Sequence, residues 1–538
     1  MRAQAVPNTL VRGRIALAAV LCAFGFALIG ARLVDITMFG DAAASVANEI
    51  KTYHRADLID RNGILIARDL PVRDLYARPV EFWNTDEAAQ GLAAIIGTDE
   101  QRLKRVFALK RGYVAVKRAL TPDEQNAVMQ LGLPGLVFEN NFRRYYPGGR
   151  VAIHAVGQAD IDGHGVSGLE LGLDRHLTAT DIPVQLSLDM RIQYALAREL
   201  AQGQAAFGAS ASGGIVLNVR TGEILALVSL PDFEPSGRVD VAESAARNRM
   251  AQDVYELGSI FKVFSFAEAI EEHVLRLEEK FNVGRPFEIG RYAIEDSHRL
   301  GPVLTGAEVF TESSNIGTAQ IAMRLGAERQ RAFLKRMGLL RAVKTELPES
   351  AAPLVPSNWK DVETATISFG HGISVSPLAF AAAAAAVVNG GTRIVPTFLK
   401  SDAPQLGERV VSEKTSATMR ALMRLAVTEG TGKKAAVAGY DIGGKTGTAE
   451  KAHGRGYARK SLISSFCGVF PIGDPQYLVF VMLDEPKGTK ETSGYATAGY
   501  TSAPVAGRVI ARSAPLLGMP RNDAVAAAEG QREFIKQP

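Results

Sequence analysis

Two hairpin patterns, with residues 231–460 between them, constrain the fold of this chain more than any other feature. The first reads "SGGIVLNV", the turn "RTGE" and "ILALVSL"; the second reads "SLISSFCGVF", the turn "PIGDP" and, after one glutamine, "YLVFVMLDEP". Their arms are rich in Val, Ile, Leu and Phe and are bounded by Gly, Pro and Asp, the composition of strands that pack a buried sheet. Most of what lies between them reads as helix, including "PLAFAAAAAAVVNGG", whose double glycine is a helix stop. Strands at both ends with helices inserted in the middle predict an α+β sheet domain over residues 181–518.

Residues 41–180 predict a separate domain of short apolar runs and turns. Its glycine-dense stretch "RRYYPGGRVAIHAVGQADIDGHGVSGLELGLDRHL" reads as tight loops rather than as a site. Residues 519–538 read as a polar tail.

At the amino terminus, "IALAAVLCAFGFALIGA" (15–31) carries no charge and is close to the length that spans a bilayer. Arg2, Arg12 and Arg14 precede it, which favours a cytoplasmic tail (1–14), an anchor (15–36) and an outer location for the rest. A cleaved signal peptide has a shorter apolar core closely followed by small residues. Here the only good match, Ala42-Ala43-Ala44, lies well beyond the run, so the anchor is the better reading. Of two cysteines, Cys22 lies in this segment, leaving Cys467 without an intrachain partner. The 61 basic and 57 acidic residues are scattered, so nucleic acid is not an expected partner. No cofactor is expected, and no His or Cys spacing predicts a metal site.

The run from Ile260 to Ile270 is apolar on nearly every side, which suits a helix buried inside a domain. It nevertheless carries Lys262, three residues after Ser259 in "YELGSIFKVFSFAEAI". Residues three apart on a helix are neighbours, the later side chain tilting back over the earlier one. Burial disfavours an ammonium, and a lysine of lowered pKa accepts a proton from a nearby hydroxyl. Ser259 therefore reads as a nucleophile and Lys262 as its base, with Gly258 letting substrate approach.

Ser-x-x-Lys alone is more often chance or helix capping than catalysis, and Ser357 and Lys360 match it too. What changes the reading is company. Ser313-Ser314-Asn315 and Lys445-Thr446-Gly447-Thr448 follow Ser259 by 54 and 186 residues. Together they match the ordered signature S-x-x-K, S-D-N, K-T-G of penicillin-binding proteins and class A β-lactamases. Ser313 suits proton transfer between the lysines and a leaving group, and Asn315 suits holding a substrate amide. Around "DIGGKTGTAEKA", a polar strand lets a substrate backbone lie along a sheet edge, with Gly447 in its path. Lys445 adds positive potential, Thr446 and Thr448 suit a terminal carboxylate, and the backbone N–H groups of Ser259 and Thr448 suit an oxyanion hole.

With these motifs the chain resembles the class B penicillin-binding proteins. "LIDRNGILIARDL", "RRYYPGG" and "GVSGLELGLDRHL" resemble the boxes of that family's amino-terminal pedestal. "LNVRTGEILALVSLPDFEP", "SFGHGISVSPLAFAAAAAAVVNGG" and "SSFCGVFPIGDPQY" resemble its transpeptidase domain. The resemblance implies a penicilloyl-serine transferase fold, an antiparallel sheet with helices on both faces, plus an elongated pedestal and one transmembrane helix. It implies a D,D-transpeptidase whose serine attacks peptidoglycan stem peptides ending in D-Ala-D-Ala, releases D-alanine and passes the acyl group to an amine. β-Lactams would acylate the same serine. The short pedestal is more similar to the division-specific, FtsI-type member, which implies an inner-membrane protein with a periplasmic catalytic domain at the septum. Its partners would be an FtsW-type glycan polymerase and other division proteins of the membrane.

Ala56, Leu257 and "SGYATAGYTSAP" depart from the family pattern, none at a catalytic position. "EGTGKKA" (429–435) lacks the spacing and hydroxyl of a phosphate loop. An elongation-specific transpeptidase, a D,D-carboxypeptidase and a β-lactam sensor are the alternatives. The first shares the motifs, the second would need a residue that activates water, and the third needs an output domain that 14 preceding residues cannot supply.

Overall fold

The computed structural model describes residues 16, 17, 19–31, 54–109, 112–235, 244–401, 403, 406–453 and 456–522. The expected cytoplasmic tail and the carboxy-terminal tail beyond residue 522 lie outside them. Of the expected anchor, residues 16, 17 and 19–31 are described and are helical. Among the described residues no helix is long and apolar enough to cross a membrane.

By its internal contacts the chain divides into two compact units, one holding Val72–Phe142, the other Arg55–Pro71 and everything from Arg143. The first is built on helices Thr85–Ile96, Glu100–Ala108 and Pro122–Gln130, each with its exposed first N–H groups capped by a side chain. Asn84 and Asp99 cap the first two, and Thr121 with Glu124 forms a capping box on the third. Leu92, Phe107, Val116 and Val128 form its core.

The second unit contains a buried ionic cluster. Arg55 and Arg144 grip the two oxygens of Glu170 at 3.0 and 2.7 Å, and Asp69 accepts from the Arg55 backbone N–H at 2.7 Å and from Arg144 at 3.2 Å. Paired in this way, charges that would be costly to bury alone are held away from water.

The same unit carries a five-stranded antiparallel sheet. Its strands are β1 (Ala211–Asn218), β2 (Ile224–Leu230), β3 (Gly443–His453), β4 (Gly456–Phe470) and β5 (Tyr477–Asp484), in the order β3-β4-β5-β1-β2. The two hairpins read from sequence are β1–β2 and β4–β5, and they join where Ile215 pairs with Phe480. A short strand at Val184–Gln185 leads to Ser187, whose hydroxyl donates to the carbonyls of Ile224 and Thr397 at 2.7 and 3.1 Å.

Six helices matter for the site: α1 (Met190–Ala206), α2 (Lys262–Glu271), α3 (Asn315–Leu325), α4 (Pro377–Val388), α5 (Glu413–Thr428) and α6 (Ser502–Leu516). Strand alternation sorts the sheet's side chains between two cores. Val216, Val479 and Val481 pack with Leu196 and Leu200 of α1 and Val505 and Val509 of α6. Ile215, Leu217, Phe480 and Met482 face the other way, towards Phe264 of α2 and Phe380 of α4. All of α4 is buried, its alanines allowing close approach on every side. Thus α2 is a central helix, and Lys262 at its first position is wholly buried.

Candidate active site

The helix expected from Ile260 begins at Lys262, preceded by a 3-10 turn over Gly258–Phe261. The turn abuts β3. Gly258 has φ +60°, and a Cβ there would stand 2.6 Å from the Thr448 carbonyl. Its N–H donates to the Gly370 carbonyl at 3.2 Å. Only a residue without a side chain fits this contact, so the backbone is pinned and then tightens into the turn that carries Ser259. Ser259 is half-buried, and its carbonyl accepts from the Lys262 N–H.

The Lys262 ammonium reaches the second motif. It donates to the Ser313 carbonyl at 2.5 Å, to the Ser313 hydroxyl at 3.2 Å and to Asn315 Oδ1 at 2.8 Å. Lys445 enters from β3 and donates to the same Ser313 hydroxyl at 2.8 Å and to the Thr446 carbonyl at 3.2 Å. One hydroxyl therefore lies between two fully buried lysines. Ser313 itself sits at φ +65°, a left-handed conformation uncommon for a residue with a Cβ.

Burial first, and then the neighbouring Lys445, hold Lys262 well below the ordinary lysine range, against the opposing pull of Asp296. Burial also lowers Lys445, to about 7, while Glu312 opposes the shift. A pair of ammonium groups this close and this dry favours loss of a proton, which leaves a lysine able to accept one.

The structure thus brings Lys262, Ser313, Asn315 and Lys445 into one hydrogen-bonded set, with Ser259 on the turn that leads into Lys262. The third motif closes the other side. The α-carbon of Gly447 lies under the Leu257 carbonyl, where a Cβ would come within 2.5 Å. The Thr446 hydroxyl is bonded to that of Thr431 at 2.6 Å, and the Thr448 hydroxyl accepts from the Ala498 N–H at 3.0 Å. Both threonines reserved for a carboxylate thus have protein partners that orient them.

Three of these neighbours had no visible role in the sequence. Thr431 lies within the rejected "EGTGKKA" stretch, Ala498 within the departure "SGYATAGYTSAP", and Asp296 in a polar loop. None forms a pattern, because each meets its partner only across the fold.

Comparison with known proteins agrees with this geometry. Residues 213–511 match the penicillin binding protein transpeptidase domain, and residues 51–191 match the penicillin-binding protein dimerisation domain. The chain is 40% identical to the probable peptidoglycan D,D-transpeptidase FtsI of Caulobacter vibrioides, over 97% of this chain and 91% of that one. The chain belongs to the class B penicillin-binding proteins.

Escherichia coli FtsI, named a peptidoglycan D,D-transpeptidase, is 30% identical to this class B protein over 88% of this chain and 85% of its own. Among solved structures, a complex of penicillin binding protein 3 from Mycobacterium tuberculosis with aztreonam superposes with a TM-score of 0.68 at 26% identity, covering 87% of this chain and 97% of that one. A peptidoglycan synthetase from Bifidobacterium adolescentis shares the fold, with a TM-score of 0.69 at 22% identity over 87% of this chain and 96% of its own. The α+β sheet domain expected from the two hairpins has the transpeptidase fold of this family, the fold that the resemblance implied.

Proposed function

We propose that this class B penicillin-binding protein is a serine D,D-transpeptidase that cross-links peptidoglycan stem peptides during septum formation. The observation that carries the reading is the Ser313 hydroxyl shared by two buried lysines of lowered proton affinity.

In this reading Ser259 Oγ attacks the carbonyl carbon of the penultimate D-alanine while Lys262 Nζ takes its proton. The developing oxyanion sits against the backbone N–H groups of Ser259 and Thr448. Proton passage through Ser313, between Lys262 and Lys445, delivers a proton to the departing amine. The C–N bond breaks, D-alanine leaves and an acyl-serine remains. An amine of a second stem peptide then attacks the ester, gives up a proton through the same groups and releases Ser259. Asn315 holds a donor amide, and Thr446, Gly447 and Thr448 hold its backbone and carboxylate along β3.

β-Lactams would acylate the same serine, as the aztreonam complex of the Mycobacterium relative suggests by analogy. The uncharged stretch 15–31, with three arginines before it, supports a single-pass anchor in the inner membrane and a periplasmic catalytic domain. An FtsW-type glycan polymerase and other division proteins of the membrane are the partners that the resemblance to FtsI-type proteins implies.

The test is intact-protein mass over time after mixing with benzylpenicillin, beside Ser259→Ala. A long-lived adduct of the drug's mass, absent from the variant, is expected. Rapid adduct turnover would make the protein a hydrolase, and labelling of the variant would assign the nucleophile elsewhere.

A further inference from the structure

The turn that holds Ser313 and Asn315 is not fixed by its own helix alone. Residues Phe287–Ile289 and Tyr292–Ile294 form a small antiparallel hairpin, and the chain leaves it through Glu295 and Asp296. Tyr292 is half exposed and Glu295 is exposed, yet Glu295 and Asp296 reach directly into the motif. Asp296 Oδ2 accepts from the Ser314 hydroxyl at 2.8 Å. Its Oδ1 accepts from the backbone N–H of Asn315 at 2.5 Å and of Ile316 at 3.1 Å. The Glu295 carbonyl accepts from Asn315 Nδ2 at 3.3 Å.

These bonds have a specific geometry. The first N–H groups of α3 have no partner within the helix, and Ser314 already caps one by accepting from Gly317 at 3.0 Å. Asp296 satisfies two more and holds the Ser314 hydroxyl as well, so one carboxylate fixes the residues on both sides of the Asn315 α-carbon. Glu295 fixes the orientation of the Asn315 amide, which turns Oδ1 towards Lys262. The strained φ of Ser313 is thereby held from downstream.

We propose that Asp296 is a positioning residue for the acylation step, a carboxylate delivered by a surface hairpin that holds Ser313 and Asn315 against Lys262. The inference rests on the transpeptidase reading of those residues. Asp296 acts through a second route as well, since its charge is the one that favours a proton on Lys262. The other groups facing that lysine are Lys445 from β3 and His371 from the loop after residue 368, with Glu312 acting on Lys445. Helix α4 contributes no titratable side chain to this region.

The experiment measures the second-order rate of acylation of the full chain by a fluorescent penicillin between pH 5 and 10, for the natural protein, Asp296→Asn, Asp296→Ala and Ser259→Ala. Thermal melting is followed in parallel. Asp296→Ala, which loses all three bonds, is expected to acylate about tenfold to a hundredfold more slowly, the scale of a small misplacement of catalytic groups. Asp296→Asn keeps the size and one acceptor oxygen but removes the charge. Lys262 then loses its proton more readily, and the acid limb of the rate profile moves to lower pH. Natural rates and an unmoved limb in both variants would overturn the proposal. So would an Asp296→Asn profile that matches the natural one while only melting temperature falls, because a purely structural cap predicts that result. Labelling of Ser259→Ala would instead assign the nucleophile elsewhere and sink the reading of these residues as the acylation site, so the two failures are distinct.

Discussion

Lys262 and Lys445, from a central helix and an edge strand, both donate to the hydroxyl of Ser313, at 3.2 and 2.8 Å. Among the described residues neither lysine is within bonding distance of a carboxylate, so the serine is the junction of the site. Replacing it separates the two amines. Ser313→Ala is expected to slow acylation by about 10²-fold or more, the range of a lost proton-transfer group, with the fold intact. Stopped-flow acylation beside circular dichroism checks this; a rate within a factor of about two of the natural protein would remove Ser313 from the proton path.

Lys445 illustrates a conflict between stability and activity. Its folded-state pKa of about 7 lies below the ordinary 10.5, so between those values the unfolded chain binds the additional proton. The contribution of this group to stability therefore rises with pH across that window and is lost as pH falls towards 7. Lys445→Met removes the penalty. Its melting temperature should exceed that of the natural protein at pH 6, by about 2–4 °C per kcal/mol relieved, and the difference should shrink by pH 10. Acylation should fall at every pH. Scanning calorimetry at the two pH values decides, and a variant equally destabilised at both would contradict the burial penalty.

The nucleophile turn depends on a neighbour that does no chemistry. Gly370 has φ +82°, and a Cβ there would lie 2.2 Å from the Gly258 carbonyl. Gly370→Ala must move either its own strained backbone or the turn carrying Ser259, at a cost of about 1–3 kcal/mol. Urea unfolding should show the loss of stability, and the acylation rate of the folded variant should drop with it. Natural rates in a destabilised variant would mean that the Gly370 side gives way and the turn does not.

A fourth prediction concerns stability alone. Glu170 is fully buried between Arg55 and Arg144, which are also buried. Glu170→Ala leaves two guanidinium groups in the interior without their shared partner, and the expected cost is about 3–5 kcal/mol. Glu170→Gln, which keeps an acceptor, should cost less. Equal denaturation midpoints for the two variants would show that the retained acceptor contributes nothing there, and midpoints equal to that of the natural protein would show the same of the charge pairing.

Much of this architecture is legible in the sequence because it is local. The arms of both hairpins and the stop after α4 each follow from neighbouring residues. The start of α2 was less so. Helical periodicity runs unbroken through Ile260, but contact with Thr448 and Gly370, both far along the chain, converts the first turn to 3-10. The ordered motifs named the groups that meet, without showing that Lys262 would turn to Ser313 and Asn315. Asp296 and Thr431 were invisible for the same reason, as each acts through one long-range bond pattern with no periodic signature. The buried Arg55–Glu170–Arg144 cluster likewise gave no cue beyond charged residues among glycines.

The order of the strands has a bearing on how the molecule is made. Ile215 of β1 waits for Phe480 of β5, about 265 residues later in synthesis, and contacts of such long range are slow to form because the loop between them must first be closed. Until then the β1 edge of the β1–β2 hairpin lacks its sheet partner, a template for mispairing with other chains. The sheet cannot be completed before nearly the whole polypeptide is available, so assembly of this catalytic body is an event of the finished chain. Truncation anywhere before β5 would leave an aggregation-prone fragment in place of a smaller enzyme.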